Sequence, residues 1–289
     1  MTEKLKILGE LTKIRITVFV TLTTVFGYIC KAETIDTGII LPVIGILFLA
    51  CGSAVINHIQ ERKTDALMER TKNRPLPSGR ITLINAVMSA VVLSLIGVTL
   101  LMIGAGVIGT ALGLLNLVWY NLIYTPLKKR NALAIIPGSL VGAIPPAVGW
   151  VAAGGYLLDP QVIILSFFFF IWQIPHFWLL LLALSKDYEK AGFPTLTKLF
   201  STEQLARITF VWIASTAATA VIIPLFGVIK FNAVAGIIFL LGIWLTIKAV
   251  FLLKPDVNKK NFGTAFREIN IFAVLIIILL SIDKLLIYF

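Results

Sequence analysis

Nine apolar runs, each long enough to cross a lipid bilayer as a helix, divide this sequence. A hydrocarbon core roughly 30 Å thick requires about 20 consecutive apolar residues in helical form. The mean hydropathy of +0.97 over the chain excludes an ordinary soluble domain. The sequence therefore predicts an all-α polytopic membrane protein, a single domain over 1–289 with nine transmembrane helices. The runs lie near 14–31, 38–58, 81–103, 105–124, 131–153, 160–184, 205–227, 230–252 and 268–288.

The formal net charge of +11 is distributed by side of the membrane, with 22 of the 25 Lys and Arg residues on one side of the predicted helices. Under the positive-inside rule this side is cytoplasmic, as is the N-terminus, and the C-terminus is outside. The basicity therefore reflects topology, and we expect no nucleic-acid partner. The start of the chain lacks a signal-peptide cleavage site and an Arg- and Ser-rich transit stretch, which favours a prokaryotic plasma membrane. The polar loops 57–80, 124–131 and 185–203 are predicted to be cytoplasmic.

The first of these loops begins with Asn57, Glu61 and Asp65 at four-residue spacing. On a helix, these positions drift only about 80° around the axis over about 12 Å, so their oxygens share one face. Carboxylates near a membrane are costly and are retained for pairing, ion pathways or a bound cation. A row of Asn, Glu and Asp oxygens suits Mg²⁺, which completes its coordination with water and substrate phosphates.

Basic residues follow directly, including Arg70, Lys72 and Arg74. Arginine and lysine can hold the phosphate oxygens that a metal does not, so acid followed by base favours a diphosphate site. A solvated loop that carries positive-inside arginines explains the same spacing. Spacing alone leaves both interpretations open.

Two further polar segments are predicted on the same side of the membrane. The segment that follows the sixth apolar run carries Asp187 and Glu189 beside Lys186, which allows a second carboxylate site for the same diphosphate. In the segment "YTPLKK", Tyr124 and Lys128 offer a hydrogen-bond donor and a cation at the rim. Anchoring of topology by Lys128 is the competing explanation.

Taken together, these motifs resemble the intramembrane prenyltransferases of the UbiA superfamily, over essentially the whole chain. The hallmark Asn-x3-Asp/Glu-x3-Asp motif stands here as Asn57, Glu61 and Asp65. The likeness is strongest to the protoheme IX farnesyltransferases, through "DALMERTKNRPLP", "WQIPHFWLL" and "KDYEKAGFPTL". Two positions depart from the wider family: Ala191 stands where quinone-directed relatives have a second aspartate, and "KIR" at 13–15 replaces Lys-Pro-Arg.

The resemblance implies a nine-helix bundle around a central cavity, with the polar motifs at the cytoplasmic rim. It also implies Mg²⁺-dependent transfer of a farnesyl group from farnesyl diphosphate to the 2-vinyl group of heme B, with addition of water, to give heme O. Heme A synthase and terminal-oxidase assembly proteins are candidate partners beside the lipid bilayer. By the same resemblance, the residues expected to act in catalysis and bind metal are Asn57, Glu61, Asp65 and Asp187. Those expected to bind diphosphate are Arg70, Lys72, Arg74, Tyr124, Lys128 and Lys186, and those expected to bind heme are His176 and Arg15.

Three alternatives remain open at this stage. A prenyltransferase for a quinone precursor or another aromatic acceptor would share the first motif. A transporter of an anionic lipid or small anion would use the same basic rims without turnover. An assembly factor that only binds heme would need His176 and would leave the acidic motif unexplained.

Overall fold

The structure is a computed structural model that describes residues 3–254 and 259–286. In these ranges the chain is helical apart from its connections, of which the loop over 66–82 is the longest, and it contains no strand. Residues 287–288 of the last predicted run lie outside the described residues. The helices are α1 (Glu3–Leu11), α2 (Ile14–Ala32), α3 (Ile40–Asp65), α4 (Leu83–Val118), α5 (Thr125–Leu127), α6 (Ile135–Gly138), α7 (Leu140–Ala152), α8 (Pro160–Lys190), α9 (Thr202–Ile222), α10 (Asn232–Ala249) and α11 (Lys259–Leu285).

Eight stretches in the described residues are long and apolar enough to cross a membrane, and one of them contains two crossings. Leu83–Leu127 has 45 residues, about twice what a bilayer requires. Its backbone leaves the helix at Gly106, with φ 65° and ψ −166°, a combination essentially restricted to glycine. Gly113 then lies against the Leu101 side chain, although twelve residues of continuous helix would separate them by about 18 Å. The chain therefore turns back at Gly106, and the predicted nine-helix fold of a multi-pass membrane protein is confirmed.

Glycine allows α2 and α7 to pack with their backbones in contact. A Cβ atom added at Gly27 would lie 2.0 Å from the carbonyl oxygen of Pro146, and one added at Gly149 would lie 2.0 Å from that of Thr24. Small residues at such positions are typical of membrane helix interfaces, where dispersion contacts replace the hydrophobic effect. This contact fixes α2, the first long helix, against the middle of the bundle.

An ion-pair group joins the first and last long helices at the end of the bundle opposite Asp65. Glu33, at the end of α2, accepts from Lys284 at 2.8 Å and from Lys230 at 2.9 Å. Asp283 accepts from the backbone N–H groups of Lys230 and Phe231. Burial disfavours the Glu33 carboxylate, but the two lysines outweigh it and hold the pKa of Glu33 below its ordinary value. The group thus ties α2 to α10 and α11.

Candidate active site at the polar end of the bundle

The acidic motif lies on one uninterrupted helix whose polar end is turned into the protein. Helix α3 continues to Asp65, two turns beyond the predicted apolar run. Asn57, Glu61 and Asp65 are 0%, 4% and 0% exposed, so all three lie in the interior rather than in a solvated loop. Buried carboxylates require charged or hydrogen-bonding partners, and the structure supplies them.

Each of the three motif side chains contacts one basic side chain, and the three basic residues come from different parts of the chain. We call these six side chains the motif cluster. The contacts are Lys13 Nζ to Asn57 Oδ1 at 2.7 Å, Lys128 Nζ to Glu61 Oε1 at 2.7 Å, and Arg74 Nη1 to Asp65 Oδ2 at 2.8 Å and Oδ1 at 3.0 Å. The structure therefore places predicted acidic and basic residues together, and it adds Lys13.

Lys13 was missed as a site residue because the "KIR" stretch directed attention to Arg15. It joins α1 to α2 with φ 50°, in the left-handed region that non-glycine residues rarely adopt and that is typical of functional sites. Burial first, and then the nearby cations Arg74 and Lys128, lower the pKa of Lys13 to about 7, and the two motif carboxylates offset this only in part. The signal that could have indicated Lys13 is the Lys-Pro-Arg pattern of the family, because this chain keeps its lysine as Lys13 and its arginine as Arg15.

A second contact orients the Asn57 amide. Its Nδ2 donates to Thr125 Oγ1 at 3.2 Å, and the Thr125 hydroxyl donates to a carbonyl in the π-helical turn Trp119–Tyr124. Gln60 Nε2 donates to the Asn121 carbonyl of the same turn at 2.9 Å. Because Nδ2 is used as a donor here, Oδ1 is left facing Lys13 as an acceptor. A π-helical turn inside a helix is common at functional sites, and here it holds the end of α3.

Tyr124 and Lys128 lie together at the end of the π-helical turn. The Lys128 ammonium lies 5.5 Å from the centre of the Tyr124 ring, a cation–π contact. Gly138 makes room for that ring, since a Cβ atom there would lie 2.4 Å from Tyr124 Cδ2. Burial alone would lower the pKa of Lys128, but Glu61 and then the tyrosines raise it above its ordinary value. Lys128 therefore stays charged beside the motif.

The second predicted carboxylate approaches the first loop from α8. Asp187 Oδ2 accepts from the backbone N–H of Arg70 at 3.3 Å, which joins the two polar segments, and the Arg70 side chain is exposed. Glu189 has a different role, because its Oε1 accepts from the hydroxyl groups of Thr195 and Thr197 and closes the loop after α8. Asp187 is thus the carboxylate of this segment that meets the motif loop.

The other basic residues of the rim do not enter the motif cluster. Lys72 pairs with Glu69 at 2.6 Å on the surface, and Lys186 is exposed. Arg80 holds Glu10 of α1 and so fastens the loop to the first helix. The predicted diphosphate roles of Lys72 and Lys186 stay predictions for side chains that now lie at the outer edge.

The donor set at the motif fits a hard cation. No group of three or more His, Cys, Asp or Glu side chains is gathered around one point within 3–254 and 259–286. The motif instead offers one amide oxygen and two carboxylates, a set that Mg²⁺ accepts when substrate phosphates complete its coordination. Glu61 Oε1 is buried and has no directional hydrogen bond beyond the ion pair with Lys128, so it retains lone-pair capacity.

His176 forms a second polar position, on α8 within the membrane. Its Nδ1 lies 2.7 Å from Asn270 Oδ1, and Asn270 Nδ2 donates to the Phe266 carbonyl. The amide oxygen is then the acceptor, so Nδ1 carries the proton and Nε2 keeps a lone pair. The rings of Trp172, Phe266 and Phe177 surround the imidazole, with centroids 4.9, 5.2 and 5.5 Å away.

A row of side chains connects the two polar positions. The Tyr124 ring, which lies under the Lys128 ammonium, is 6.4 Å from the Phe177 ring, and Phe177 packs against His176. Arg15 is outside this row: it is exposed at the start of α2 and pairs with no residue in the described part of the chain. Its predicted role toward heme stays a prediction.

Comparison with known proteins identifies the family. The UbiA prenyltransferase family model matches residues 20–272. Proteins named protoheme IX farnesyltransferase are similar over most of their length. The one from Oleidesulfovibrio alaskensis is 32% identical over 97% of both chains. The one from Geobacter sulfurreducens is 33% identical over 87% of this chain and 89% of its own. The one from Christiangramia forsetii is 34% identical over 95% of this chain and 92% of its own.

Solved structures show the same fold at low sequence identity. A digeranylgeranylglyceryl phosphate synthase structure superposes with a TM-score of 0.81 at 18% identity, over 98% of this chain and 99% of that one. A UbiA homolog from Archaeoglobus fulgidus bound to GPP and Mg²⁺ gives 0.68 at 13% identity, over 96% and 99%. The family match covers most of the chain and the relatives span nearly all of it, so this chain belongs to the UbiA prenyltransferase family.

Proposed function

We propose that this protein transfers the farnesyl group of farnesyl diphosphate to the 2-vinyl group of heme B, with addition of water, and releases heme O and diphosphate. One observation carries the proposal: a buried acidic motif, with a cation on each side chain, in a chain whose near-full-length relatives are named protoheme IX farnesyltransferase. The polar end of the bundle is taken as cytoplasmic, as the positive-inside distribution predicts.

In this proposal the motif cluster holds the diphosphate end of the donor. Asn57, Glu61 and Asp65, with Asp187 from α8, would hold Mg²⁺, which would supply charge neutralisation to the leaving group when bound. Arg74 and the two cluster lysines bind the phosphate oxygens left over. These cations lie in a largely buried site, where their attraction for developing negative charge is stronger than in water.

The transfer breaks the C1–oxygen bond of the donor, the π bond of the vinyl group and one O–H bond of water, and it forms one C–C bond and one C–O bond. The C1–oxygen bond of farnesyl diphosphate breaks, and the electron pair leaves with diphosphate. The terminal carbon of the heme vinyl group attacks C1, so that positive charge develops on the carbon next to the porphyrin. Water adds to that carbon and loses a proton to bulk water or to the released diphosphate, which gives the hydroxyethylfarnesyl group. The apolar walls of the bundle protect the allylic cation from water before the vinyl group attacks.

The acceptor is proposed to lie against His176. The Nε2 lone pair of His176 suits iron. Asn270 fixes the imidazole ring through Nδ1, which is the usual arrangement for histidines that ligate metals. Trp172 and Phe266 offer flat apolar faces for a porphyrin. Phe177 and Tyr124 then lie between the porphyrin position and the diphosphate position, where the prenyl C1 and the vinyl group must meet.

Product mass tests the proposal. Purified protein is incubated with heme B, farnesyl diphosphate and Mg²⁺, beside Asp65→Asn and the matched surface variant Glu69→Gln. We expect heme O from the parent protein and from Glu69→Gln, and a loss of about a hundredfold or more in Asp65→Asn. Diphosphate release with unchanged heme would instead indicate a quinone precursor or another acceptor. Binding of farnesyl diphosphate without release of free diphosphate would indicate a transporter.

A further inference from the structure

Asn57, Glu61 and Asp65 each contact a basic side chain of the protein itself, so a metal ion that binds them must enter beside these basic groups. We infer that divalent metal and diphosphate bind to the motif cluster together, by an exchange of partners. The motif oxygens pass from the cluster cations to the metal, and the freed cations pass to the phosphate oxygens. The inference rests on the proposed function, since it specifies how that site takes up its donor substrate.

The distances favour an exchange over a simple addition. The ammonium groups of Lys13 and Lys128 lie 2.7 Å from Asn57 Oδ1 and Glu61 Oε1, which is full contact. Mg²⁺ bonds oxygen at about 2.0–2.1 Å and demands near-octahedral geometry. Each of these oxygens has a second lone pair, so a metal bound there with the lysine in place would lie about 4 Å from the ammonium nitrogen. Two cations at that distance in a largely buried site repel each other, and this repulsion favours movement of the ammonium to a phosphate oxygen.

The charges favour joint entry over entry of the metal alone. With its basic groups charged, the motif cluster holds three cations and two carboxylates, a net charge of +1. Mg²⁺ alone would raise this to +3 in a site where Asn57, Glu61 and Asp65 are almost fully buried. Repulsion between like charges is strong where water is excluded. A diphosphate that arrives with the metal offsets the added charge and gives each displaced cation a new partner.

The cations can move without disturbing the acidic helix. Lys13 comes from the α1–α2 junction, Arg74 from the loop after α3, and Lys128 from the end of α5, while the three motif oxygens lie on α3. Lysine carries its charge on a flexible four-carbon stem with three rotatable donors. Exchange therefore needs changes of side-chain rotamer and no change in the bundle.

Equilibrium dialysis of the full-length protein in detergent micelles tests the inference. Mn²⁺ serves as the probe metal, with inorganic diphosphate present or absent, and bound manganese and phosphorus are measured as the excess on the protein side. We expect Mn²⁺ alone to bind weakly, and to bind at least about tenfold more tightly when diphosphate is present. The bound metal should then equal or exceed the bound diphosphate at each site. Mn²⁺ alone binding as tightly as in the presence of diphosphate would overturn the inference.

Variants separate the exchange from simple loss of a binding residue. Lys128→Met removes one competing cation, so Mn²⁺ alone should bind about tenfold more tightly, while the metal–diphosphate pair binds more weakly. Lys13→Met should change both affinities in the same directions and serves if Lys128→Met does not fold. Lys129→Met is the matched control, because the Lys129 ammonium donates to the Gln60 carbonyl and acts on Glu61 less strongly than Lys128 does, so it should change either affinity by less than about twofold.

The outcomes also distinguish this inference from the proposed function. If the two lysine variants weaken both metal binding and diphosphate binding, the exchange is wrong, and the prenyltransferase proposal stands. If diphosphate binds neither with nor without Mn²⁺, the exchange is wrong, and the product-mass experiment decides the proposed function separately.

Discussion

Removal of the Lys128 ammonium should destabilise the folded protein, because Glu61 would keep its charge in the interior without a partner. The two groups are 2.7 Å apart, and their side chains are only 15% and 6% exposed. At an effective dielectric constant of about 20, this distance gives an attraction of roughly 6 kcal/mol before desolvation is subtracted. Loss of one member of a buried pair typically costs about 3–5 kcal/mol. Since the site borders water, we expect Lys128→Met to lower the free energy of unfolding by about 3 kcal/mol.

The assay is a double-mutant cycle on unfolding in mixed micelles, followed by helix loss in circular dichroism as SDS is added. It compares the parent protein with Lys128→Met, Glu61→Gln and the double variant. The double variant should be about 2 kcal/mol more stable than Lys128→Met alone, because it no longer buries an unpaired charge. Lys129→Met, one residue further along and hydrogen-bonded only to a backbone carbonyl, should stay within about 0.5 kcal/mol of the parent protein.

Additive effects would refute this reasoning. If Lys128→Met costs no more than Lys129→Met, or if the double variant loses the sum of the two single losses, then the ion pair does not stabilise the fold. Glu61 would in that case be solvated or protonated in the folded protein, and the motif cluster would not be the buried network described above.

Three further predictions concern other parts of the bundle. Glu33→Gln should lower the thermal midpoint near pH 7, because Lys284 loses its carboxylate partner. The pKa of Glu33 is lowered in the folded protein, so this difference should persist above the ordinary value of 4.5 and vanish as the pH falls through the lowered value; a difference that grows in acid would contradict it. Gly106→Ala should cost about 1–3 kcal/mol in the same SDS titration, since alanine does not adopt the turn conformation, whereas a neutral result would mean that the turn rearranges. Gly138→Ala should displace the Tyr124 ring and lower both the thermal midpoint and farnesyl transfer, and unchanged values would show that the ring has room to move.

The bundle was predictable because hydropathy and helical geometry act locally. The sequence placed the boundary between the third and fourth crossings at 104, and the structure turns at Gly106, two residues later. The same local geometry predicted one shared face for Asn57, Glu61 and Asp65, since four-residue spacing fixes direction on any helix that continues through the motif. Helix α3 does continue through it, to Asp65.

The partners of the motif were less predictable because they depend on how distant segments pack. Lys13 reaches Asn57 across 44 positions in the chain, and nothing local to either residue indicates the contact. In the loop, Arg70 comes first after the acids, yet Arg74 holds Asp65. The loop turns back at Thr71, whose hydroxyl donates to the Asp65 carbonyl, and this turn brings position 74 rather than 70 to the carboxylate.

The acceptor is the central claim, and a competition measures it most directly. Purified protein is given radiolabelled farnesyl diphosphate, Mg²⁺ and equal amounts of heme B, a quinone precursor such as 4-hydroxybenzoate, and an isoprenoid glycerol phosphate, and the labelled products are separated. We predict label in the heme fraction in a ratio of one farnesyl group to one diphosphate released, and its loss in His176→Ala. Label in either of the other acceptors, with none in heme, would contradict the account.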